Sequence, residues 1–344
     1  MRIITKNGRE QIDKKRIVLT HDDADGLMSA VVLQKLGRAD GGQWRIIASV
    51  NPTSRETDEM LLRADKEWEV SKEDIVFVID REIFGKELQE NFKGKKIIYI
   101  DHHIPNKVQN LRNDIVFIWD KNESGATLSL KYFKLFPQEM GEISSKKVKE
   151  IERIAQSVKL WDTFQWTKLD TSVQEDKVRY NEVFQINSLE KMFGKKYFYT
   201  MMMKDNDESI WKKSKLAYEI FLYEYEEYKE NGFPYEKDFE YKGNKIRLYF
   251  NFDSRFQSLY SYELFKNTDL DIVIYANLNG TVSIRNRPGT DSTDLASELG
   301  RLNGYSGGGH KNATGCRIID LEMIRDQIVN RILKTIANIE KIIL

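Results

Sequence analysis

The feature that most constrains this chain is an apolar stretch that ends in one acid and two histidines, Ile97-Ile98-Tyr99-Ile100-Asp101-His102-His103. The unbroken run of β-branched and aromatic residues predicts a strand that is buried on both faces. Ligands of open α/β sheets bind just beyond the carboxyl ends of the strands, which is where Asp101, His102 and His103 are expected. Taken alone, a polar turn with hydrogen-bonded or solvated histidines explains this tripeptide equally well.

Two other predicted strands end in the same kind of residue. The strand over 16–20 runs into His21-Asp22-Asp23-Ala24-Asp25-Gly26, and the strand over 75–79 runs into Asp80. The whole chain has only four histidines, and three of them follow these strands. Because the carboxyl ends of parallel strands meet at one edge of a sheet, we expect these side chains to converge in one crevice.

Mixed imidazole and carboxylate side chains are suitable ligands for Mn²⁺ or another borderline divalent ion. Their carboxylates balance the charge of two such ions, which together can activate a shared water and hold a phosphoryl group. Asp80 is the expected bridging carboxylate, whereas Asp101 and His103 are expected to orient a ligand or to stabilise charge on phosphate. Asp162 lies among aromatic residues that also fit a surface loop. The predicted metal ligands are His21, Asp23, Asp25, Asp80, His102 and Asp162.

The order of strands and helices predicts an α/β fold. Strands that alternate with helical segments in the first part of the chain indicate βαβ units and a doubly wound, mostly parallel sheet. A long helical run ends at Asn231-Gly232-Phe233-Pro234, after which hairpin signals predict a smaller α/β domain with a mixed sheet. We therefore expect a catalytic domain over 1–200, a helical linker over 201–235 and a substrate-binding domain over 236–344, since 344 residues exceed one typical core.

The second domain carries a candidate anion-binding set. A glycine run, Gly307-Gly308-Gly309, exposes backbone N–H groups without side-chain obstruction, which suits the close approach of an anion. Next to it, His310 and Arg285 are expected to hold a phosphate or a base edge, and Arg287 to assist them. A flexible loop is the alternative interpretation of the glycine run.

Composition excludes several classes of function. Lysine plus arginine and aspartate plus glutamate are equal at 54 each, which argues against a protein that coats long nucleic acid. The single cysteine, Cys316, permits no internal disulfide and fits a reducing cytoplasm, and no apolar run predicts a signal core or a membrane span. The sequence has no GxxxxGK[ST] phosphate loop, so a nucleotide-triphosphate motor is not expected.

These motifs together resemble the DHH phosphoesterase superfamily, in particular its members with the DHH-associated C-terminal domain. The segment from His21 to Gly26 is similar to the first motif of that family, Asp80 to the second, Asp101-His102-His103 to the third and Asp162 to the fourth. Arg285 and the segment from Gly307 to His310 are similar to the substrate-binding motifs of the associated domain. The resemblance implies two manganese ions in the first domain and a second domain that grips the nucleotide.

The layout is most similar to that of the small bacterial oligoribonucleases, or nanoRNases, of this superfamily. The first motif differs from theirs, since Asp23 replaces an asparagine, and it leaves open which of His21, Asp23 and Asp25 contact metal directly. We therefore expect a cytoplasmic Mn²⁺-dependent phosphodiesterase that converts short RNA or DNA oligonucleotides, or linear dinucleotides, to nucleoside monophosphates. Mg²⁺ or Co²⁺ could substitute for Mn²⁺, no membrane partner is expected, and a homodimer is left open.

Four alternatives remain at this stage. The same metal core could serve a pyrophosphatase or polyphosphatase, a RecJ-like single-strand exonuclease, or a phosphohydrolase of cyclic dinucleotides or pAp. A nucleotide sensor without catalytic activity is the least favoured, because none of the expected ligands is missing.

Overall fold

The computed structural model describes residues 3–4, 10–11, 15–38, 43–50, 53–72, 74–103, 111–231, 235–251, 253–277, 280–305, 307–310, 313–318 and 329–336. The chain divides into two compact units, Met1–Glu219 and Ile220–Leu344. This division falls within the linker expected over 201–235, whose limits stay a prediction. None of the described helices is both long enough and apolar enough to cross a membrane.

The first unit is built on a five-stranded parallel sheet with strand order β2-β1-β3-β4-β5. The strand β3 lies in its centre between β1 and β4, and every residue of β3 is buried. The strands are β1 Lys15–His21, β2 Gln43–Ser49, β3 Ile75–Ile79, β4 Lys96–Asp101 and β5 Val116–Trp119.

Helices cover this sheet and complete the predicted doubly wound pattern. Side chains from β3 and β4 alternate between two apolar clusters, one of which also contains α1 and α4, while the other contains α2. The helices of the first unit are α1 Ala24–Leu36, α2 Ser54–Trp68, α3 Lys86–Asn91, α4 Gly125–Leu135, α5 Ser145–Asp162, α6 Gln174–Phe193 and α7 Lys195–Lys204. A further helix, α8 Asp207–Asn231, contains the point at which the two units are divided.

Capping residues set where the helices near the sheet edge begin. Asp23 caps α1, since its Oδ1 accepts the N–H of Gly26 at 2.9 Å, and Ser124 caps α4 in a reciprocal box with Thr127. Gly26 is required by close packing, because a Cβ atom there would lie 2.1 Å from the carbonyl oxygen of His21. The loop between β1 and α1 can therefore turn tightly only with glycine at this position.

The second unit contains a six-stranded mixed sheet with order β10-β11-β9-β8-β7-β6. The pair β7 and β8 is parallel, and the other neighbouring pairs are antiparallel. Its strands are β6 Tyr235–Tyr241, β7 Asn244–Asn251, β8 Ile272–Asn277, β9 Thr281–Asn286, β10 Gly307–His310 and β11 Ala313–Arg317, and its own described helices include α9 Gln257–Asn267 and α10 Thr293–Leu302. The predicted fold class is confirmed: a parallel α/β sheet is followed by a smaller α/β unit with a mixed sheet.

The glycine run lies in a strand and not in the flexible loop that was its alternative interpretation. Gly307, Gly308 and Gly309 lie in the edge strand β10, which pairs with β11 in antiparallel register. A Cβ atom at Gly307 would lie 2.0 Å from the carbonyl oxygen of Ala296 in α10, so only glycine lets this strand pass so close to the helix. Sequence reasoning missed the strand because three consecutive glycines carry no β propensity.

Candidate metal centre

The carboxyl ends of three neighbouring strands carry the predicted donor residues of the first unit. His21 ends β1, Asp80 follows β3, and Asp101 ends β4 just before His102 and His103. Because β1, β3 and β4 are adjacent in the sheet, these side chains meet at one edge. The described residues include three groups whose potential ligand atoms lie within 4.8 Å of one another: Asp80 with His102 and His103, His21 with Asp23 and Asp80, and Asp25 with His102 and Asp162.

Asp80 lies at the centre of this cluster and is 2 % exposed. Its Oδ1 is 3.2 Å from His102 Nε2 and 3.5 Å from His103 Nδ1, whereas its Oδ2 is 3.6 Å from His21 Nδ1. The backbone of Asp80 has φ of +55°, a left-handed conformation that is uncommon for a residue with a side chain. The N–H of Asp80 donates to the carbonyl of Ile100 at 3.0 Å, which fixes this turn against β4.

His21 is oriented by contacts on both of its ring nitrogens. Nε2 is 3.0 Å from the carbonyl oxygen of Val50, and Nδ1 is 2.8 Å from Asp23 Oδ2. Because a carbonyl oxygen only accepts, Nε2 carries a hydrogen, and Nδ1 is the nitrogen that faces Asp23 and Asp80. Without a cation Nδ1 is protonated as well and donates to these carboxylates, and its lone pair could bind a metal ion once that proton is lost. This is the arrangement that histidine ligands of metal ions adopt with their supporting groups.

Asp162 and Asp25 approach His102 from the helices. Asp162 is the last residue of α5, not part of a surface loop, and its Oδ2 lies 3.5 Å from His102 Nε2. Asp25 lies in the first turn of α1, and its carboxylate accepts the backbone N–H groups of Gly125 at 2.6 Å and Ala126 at 3.0 Å. These bonds satisfy two of the amide donors that the start of α4 leaves open and aim Asp25 at the cluster.

His103 is held by Asp101. Its Nδ1 is 2.7 Å from Asp101 Oδ1, and the same oxygen accepts the backbone N–H groups of His102 at 2.8 Å and His103 at 3.2 Å. The carbonyl of His103 also accepts the indole N–H of Trp119 at 2.6 Å. Asp101 therefore fixes both the turn after β4 and the orientation of the His103 ring.

The pKa values of the histidines show how negative this pocket is. Burial by itself lowers the pKa of His21, but attraction and hydrogen bonding from Asp23 and Asp80 outweigh it and raise the pKa to about 11. Burial likewise opposes protonation of His103, whose pKa Asp101 and Asp80 raise to about 9. The pKa of His102 is also raised despite burial, chiefly by Asp162 and Asp80. A pocket that attracts protons this strongly also attracts cations.

The pKa values of the carboxylic acids in the pocket are shifted in two directions by burial and by the neighbouring charged groups. Burial and the neighbouring charges of Asp80 and Asp23 raise the pKa of Asp162 to about 6, although His102 lowers it. Burial and the charges of Asp162 and Asp80 also raise the pKa of Asp25. Against its own burial, Asp80 has a pKa well below the usual range because His102 and His21 donate to it. The cluster thus holds more carboxylate than its histidines alone can neutralise.

The donors fit a divalent metal site. Asp162 Oδ2 is buried and accepts no hydrogen bond from the part of the chain that the structure describes. Such an oxygen is costly to bury unless a cation or another donor satisfies it. Combined imidazole nitrogens and carboxylate oxygens suit Mn²⁺ and similar ions. The residues that could hold metal are His21, Asp23, Asp25, Asp80, His102 and Asp162, and their role as ligands stays a prediction.

Two supporting contacts were not predicted. Arg81 is fully buried beside Asp80, and its guanidinium donates to the carbonyl of Thr20 at 3.1 Å and to Thr57 Oγ1 at 3.2 Å, while the hydroxyl of Tyr99 donates to the carbonyl of Arg81. Lys195, at the start of α7, places Nζ 2.7 Å from Asp22 Oδ1. No sequence pattern joins these residues, although an arginine directly after a buried strand is an unusual placement.

The predicted substrate residues lie in the second unit. Arg285 lies on β9, and its Nε donates to Ser258 Oγ at 3.3 Å and its Nη1 to the carbonyl of Ile284 at 3.1 Å. Burial lowers the pKa of Arg285, although Tyr275 and Tyr228 counteract this shift. A desolvated guanidinium of this kind favours an anionic ligand.

Arg287 has a different environment from Arg285. Its guanidinium donates to the carbonyls of Leu270, Phe265 and Thr268 at 2.7 to 2.8 Å, so it closes the end of α9. Fewer of the N–H groups of Arg287 than of Arg285 are therefore available to bind a substrate. His310 ends β10, and its side chain lies outside the described residues.

Residues 15–158 match the model of the DHH family, N-terminal domain. Similar solved structures include RecJ from Thermus thermophilus in complex with Mn²⁺ (13 % identity, 95 % of this chain and 52 % of that one, TM-score 0.59) and an exonuclease RecJ bound to manganese (14 %, 94 % and 90 %, TM-score 0.58). CDC45 from Entamoeba histolytica is also similar (11 %, 94 % and 95 %, TM-score 0.56). No curated protein matches the sequence.

These comparisons agree on the first unit of the chain. At such low identity the solved structures show a shared fold, and this chain spans about half the length of the Thermus RecJ. The family match runs from β1 into α5, ends before Asp162, and includes the segments that carry His21, Asp80 and the Asp101-His102-His103 tripeptide. The family match over residues 15–158 and the shared fold are the two findings that support the DHH superfamily for the first unit.

Proposed function

We propose that this chain is a Mn²⁺-dependent phosphodiesterase of the nanoRNase type, which hydrolyses short oligonucleotides or linear dinucleotides to nucleoside monophosphates at a dinuclear metal site. The observation that carries this proposal is the position of Asp80. One of its oxygens faces His102 and His103 and the other faces His21, so two adjoining donor groups share one carboxylate. A carboxylate shared in this way is the expected bridge of a two-metal site.

The chain's own residues divide into two roles. His21, Asp23 and Asp80 would hold one cation, and Asp80 with His102, Asp25 and Asp162 would hold the other. When bound, two divalent cations neutralise charge on a phosphoryl group and increase the acidity of a nearby water molecule. The position of the Asp80 carboxylate between the two donor groups and the buried Asp162 Oδ2, which accepts no hydrogen bond from the described residues, support this assignment.

His103 and Asp101 are proposed to act on the substrate and not on the cations. Asp101 keeps the pKa of His103 near 9, so the imidazole carries a proton at neutral pH. A protonated imidazole held by its Nδ1 can donate its other N–H to an oxygen of the scissile phosphate and stabilise the charge that develops there. In the second unit, Arg285 is proposed to bind a terminal phosphate, because its guanidinium is the more available of the two predicted arginines.

Product analysis on a defined dinucleotide tests this function. The protein is incubated with a 5′-phosphorylated RNA dinucleotide and Mn²⁺, products are separated by chromatography, and bound metal is measured in the same sample. We expect release of mononucleotides, with turnover lost in chelator and restored by Mn²⁺. Bound metal without mononucleotide release would overturn the proposal, and phosphate release from pyrophosphate in a parallel reaction would instead place the activity on anhydrides.

A further inference from the structure

Two exposed aromatic side chains lie at the junction between α6 and α7. Phe193 is the last residue of α6, Tyr197 lies in the first turn of α7, and their ring centroids are 5.2 Å apart at an angle of 60°. The two residues are 39 % and 41 % exposed. This pair therefore presents aromatic faces and edges to the outside of the first unit, where burial does not explain them.

A salt bridge joins this junction to the candidate metal centre. Lys195 lies between Phe193 and Tyr197, and its Nζ is 2.7 Å from Asp22 Oδ1. Asp22 in turn lies between His21 and Asp23, and its backbone N–H donates to the carbonyl of Ser49 at 3.1 Å. The aromatic pair is thus tied through one contact to the loop that carries two of the proposed metal ligands.

The turn between the two helices is exposed at Gly194, and an exposed lysine lies close to it in the sequence. Gly194 has φ of +84°, which turns the chain between the helices, and a Cβ atom there would meet no described atom within 4 Å. Lys196, the next residue along α7 after the salt-bridged lysine, is exposed. Exposed aromatic rings beside a lysine suit a ligand that combines a flat ring with a negative charge, as a nucleotide does.

We propose that Phe193 and Tyr197 form a stacking subsite for one nucleobase of the substrate whose phosphate lies at the metal centre. The proposal rests on the function proposed above and adds the part of the chain that holds the base. Stacking on an aromatic face tolerates every base, because every base has a π-face. The subsite would therefore favour nucleotides over simple phosphate esters without selecting a particular sequence.

Equilibrium titration with adenosine 5′-monophosphate tests this subsite without turnover. The titration is done with the full chain and Mn²⁺, so that the phosphate can occupy the metal centre, and ribose 5-phosphate, which lacks the base, is the second probe. The variants Phe193→Leu and Tyr197→Leu keep apolar volume and remove the aromatic face, and Phe193→Ala and Tyr197→Ala remove the side chain. Tyr223→Ala, which removes a tyrosine that is 71 % exposed in the second unit, is the matched control.

We expect each variant of the pair to weaken binding of the monophosphate about fivefold or more, and Tyr223→Ala to leave it unchanged. Binding of ribose 5-phosphate should be the same in wild type and variants. Wild-type affinity for the monophosphate in the variants, equal weakening for both probes, or no binding by the wild type would each overturn the subsite. Dinucleotide hydrolysis with Mn²⁺, measured in parallel, reports separately on the proposed function, and there the variants should raise KM and leave kcat unchanged.

Discussion

The backbone N–H of Gly125 donates to Asp25 Oδ2 over 2.6 Å, which links the start of α4 to the start of α1. A Cβ atom at Gly125 would lie 3.0 Å from this same oxygen and 2.9 Å from Ser29 Oγ. We therefore expect Gly125→Ala to displace the carboxylate of Asp25 and to weaken Mn²⁺ binding about 10- to 100-fold in calorimetric titration. Gly85→Ala is a matched control, because its Cβ would contact the carboxylate of Asp58 outside the cluster. Equal losses in both variants would contradict this role of Gly125.

Replacement of the shared carboxylate should separate activity from folding. Asparagine keeps the shape of Asp80 and tolerates its left-handed backbone, so Asp80→Asn should unfold within a few degrees of the wild type. Turnover on a dinucleotide should fall roughly 1,000-fold or more, because the charge that joins the two donor groups is lost. His102→Ala should also abolish activity, whereas Asp65→Asn, which alters a surface pair with Lys95, should not. Wild-type turnover in Asp80→Asn would refute the bridging assignment.

Metal binding should stabilise the first unit measurably. A ligand at 100 times its dissociation constant adds about 2.7 kcal/mol to the free energy of unfolding. For a unit of this size we expect Mn²⁺ to raise the unfolding temperature by about 5 to 10 °C in a calorimetric scan. Chelator should reverse the shift, and Asp80→Asn should reduce it strongly. An unfolding temperature that is independent of Mn²⁺ in the wild type would argue against a metal site in this cluster.

The two arginines of the second unit should respond differently to removal. Arg285→Ala should raise KM for a 5′-phosphorylated dinucleotide about 10- to 100-fold, because a charge-assisted contact is lost. Arg287→Ala removes donors from the carbonyls of Leu270, Phe265 and Thr268 and should lower the free energy of unfolding by about 2 to 3 kcal/mol in denaturant titration. If the two substitutions had identical effects on KM and on stability, Arg285 and Arg287 would not have the different roles that we infer from their environments.

Cys316 should behave as an inert, buried thiol. Burial raises its pKa to about 12 from a usual value of 9.0. The folded chain keeps the thiol proton at pH values where the unfolded chain loses it. Ionisation of the thiol therefore does not favour the unfolded state below pH 9, and it favours that state increasingly as pH rises above 9. The free energy of unfolding should fall by about 1.4 kcal/mol per pH unit above pH 9 relative to Cys316→Ala. In native conditions at pH 8, iodoacetamide should label Cys316 much more slowly than after unfolding, and equally fast labelling would contradict its burial.

Much of the first unit could be predicted because its strands are continuous apolar runs. The segment Ile75–Ile79 is buried throughout, and such a run has few structural alternatives in a soluble domain. Acids and histidines that directly follow such strands are then placed at one sheet edge by topology alone. This is why His21, Asp80 and His102 could be grouped from the sequence before any distance was known.

Contacts between distant segments could not be predicted in the same way. Lys195 meets Asp22, and Arg81 meets Thr57, through packing geometry that leaves no periodic trace in the sequence. The aromatic residues around Asp162 suggested a surface loop, yet α5 continues to this residue because Trp161 stacks against Trp166 and packs against Phe184. The glycines of β10 form a strand because tertiary contact with α10 overrides their weak local preference.

The left-handed backbone of Asp80 has a further consequence. Its side chain points one oxygen to each half of the pocket, so a small rotation of a single residue moves a donor atom in both halves at once. A substitution at Asp80 would therefore change the donor atoms of both halves, and it could not alter the ion preference of one half alone. A change in metal preference would have to begin at residues that belong to one half alone, such as Asp23 or Asp162.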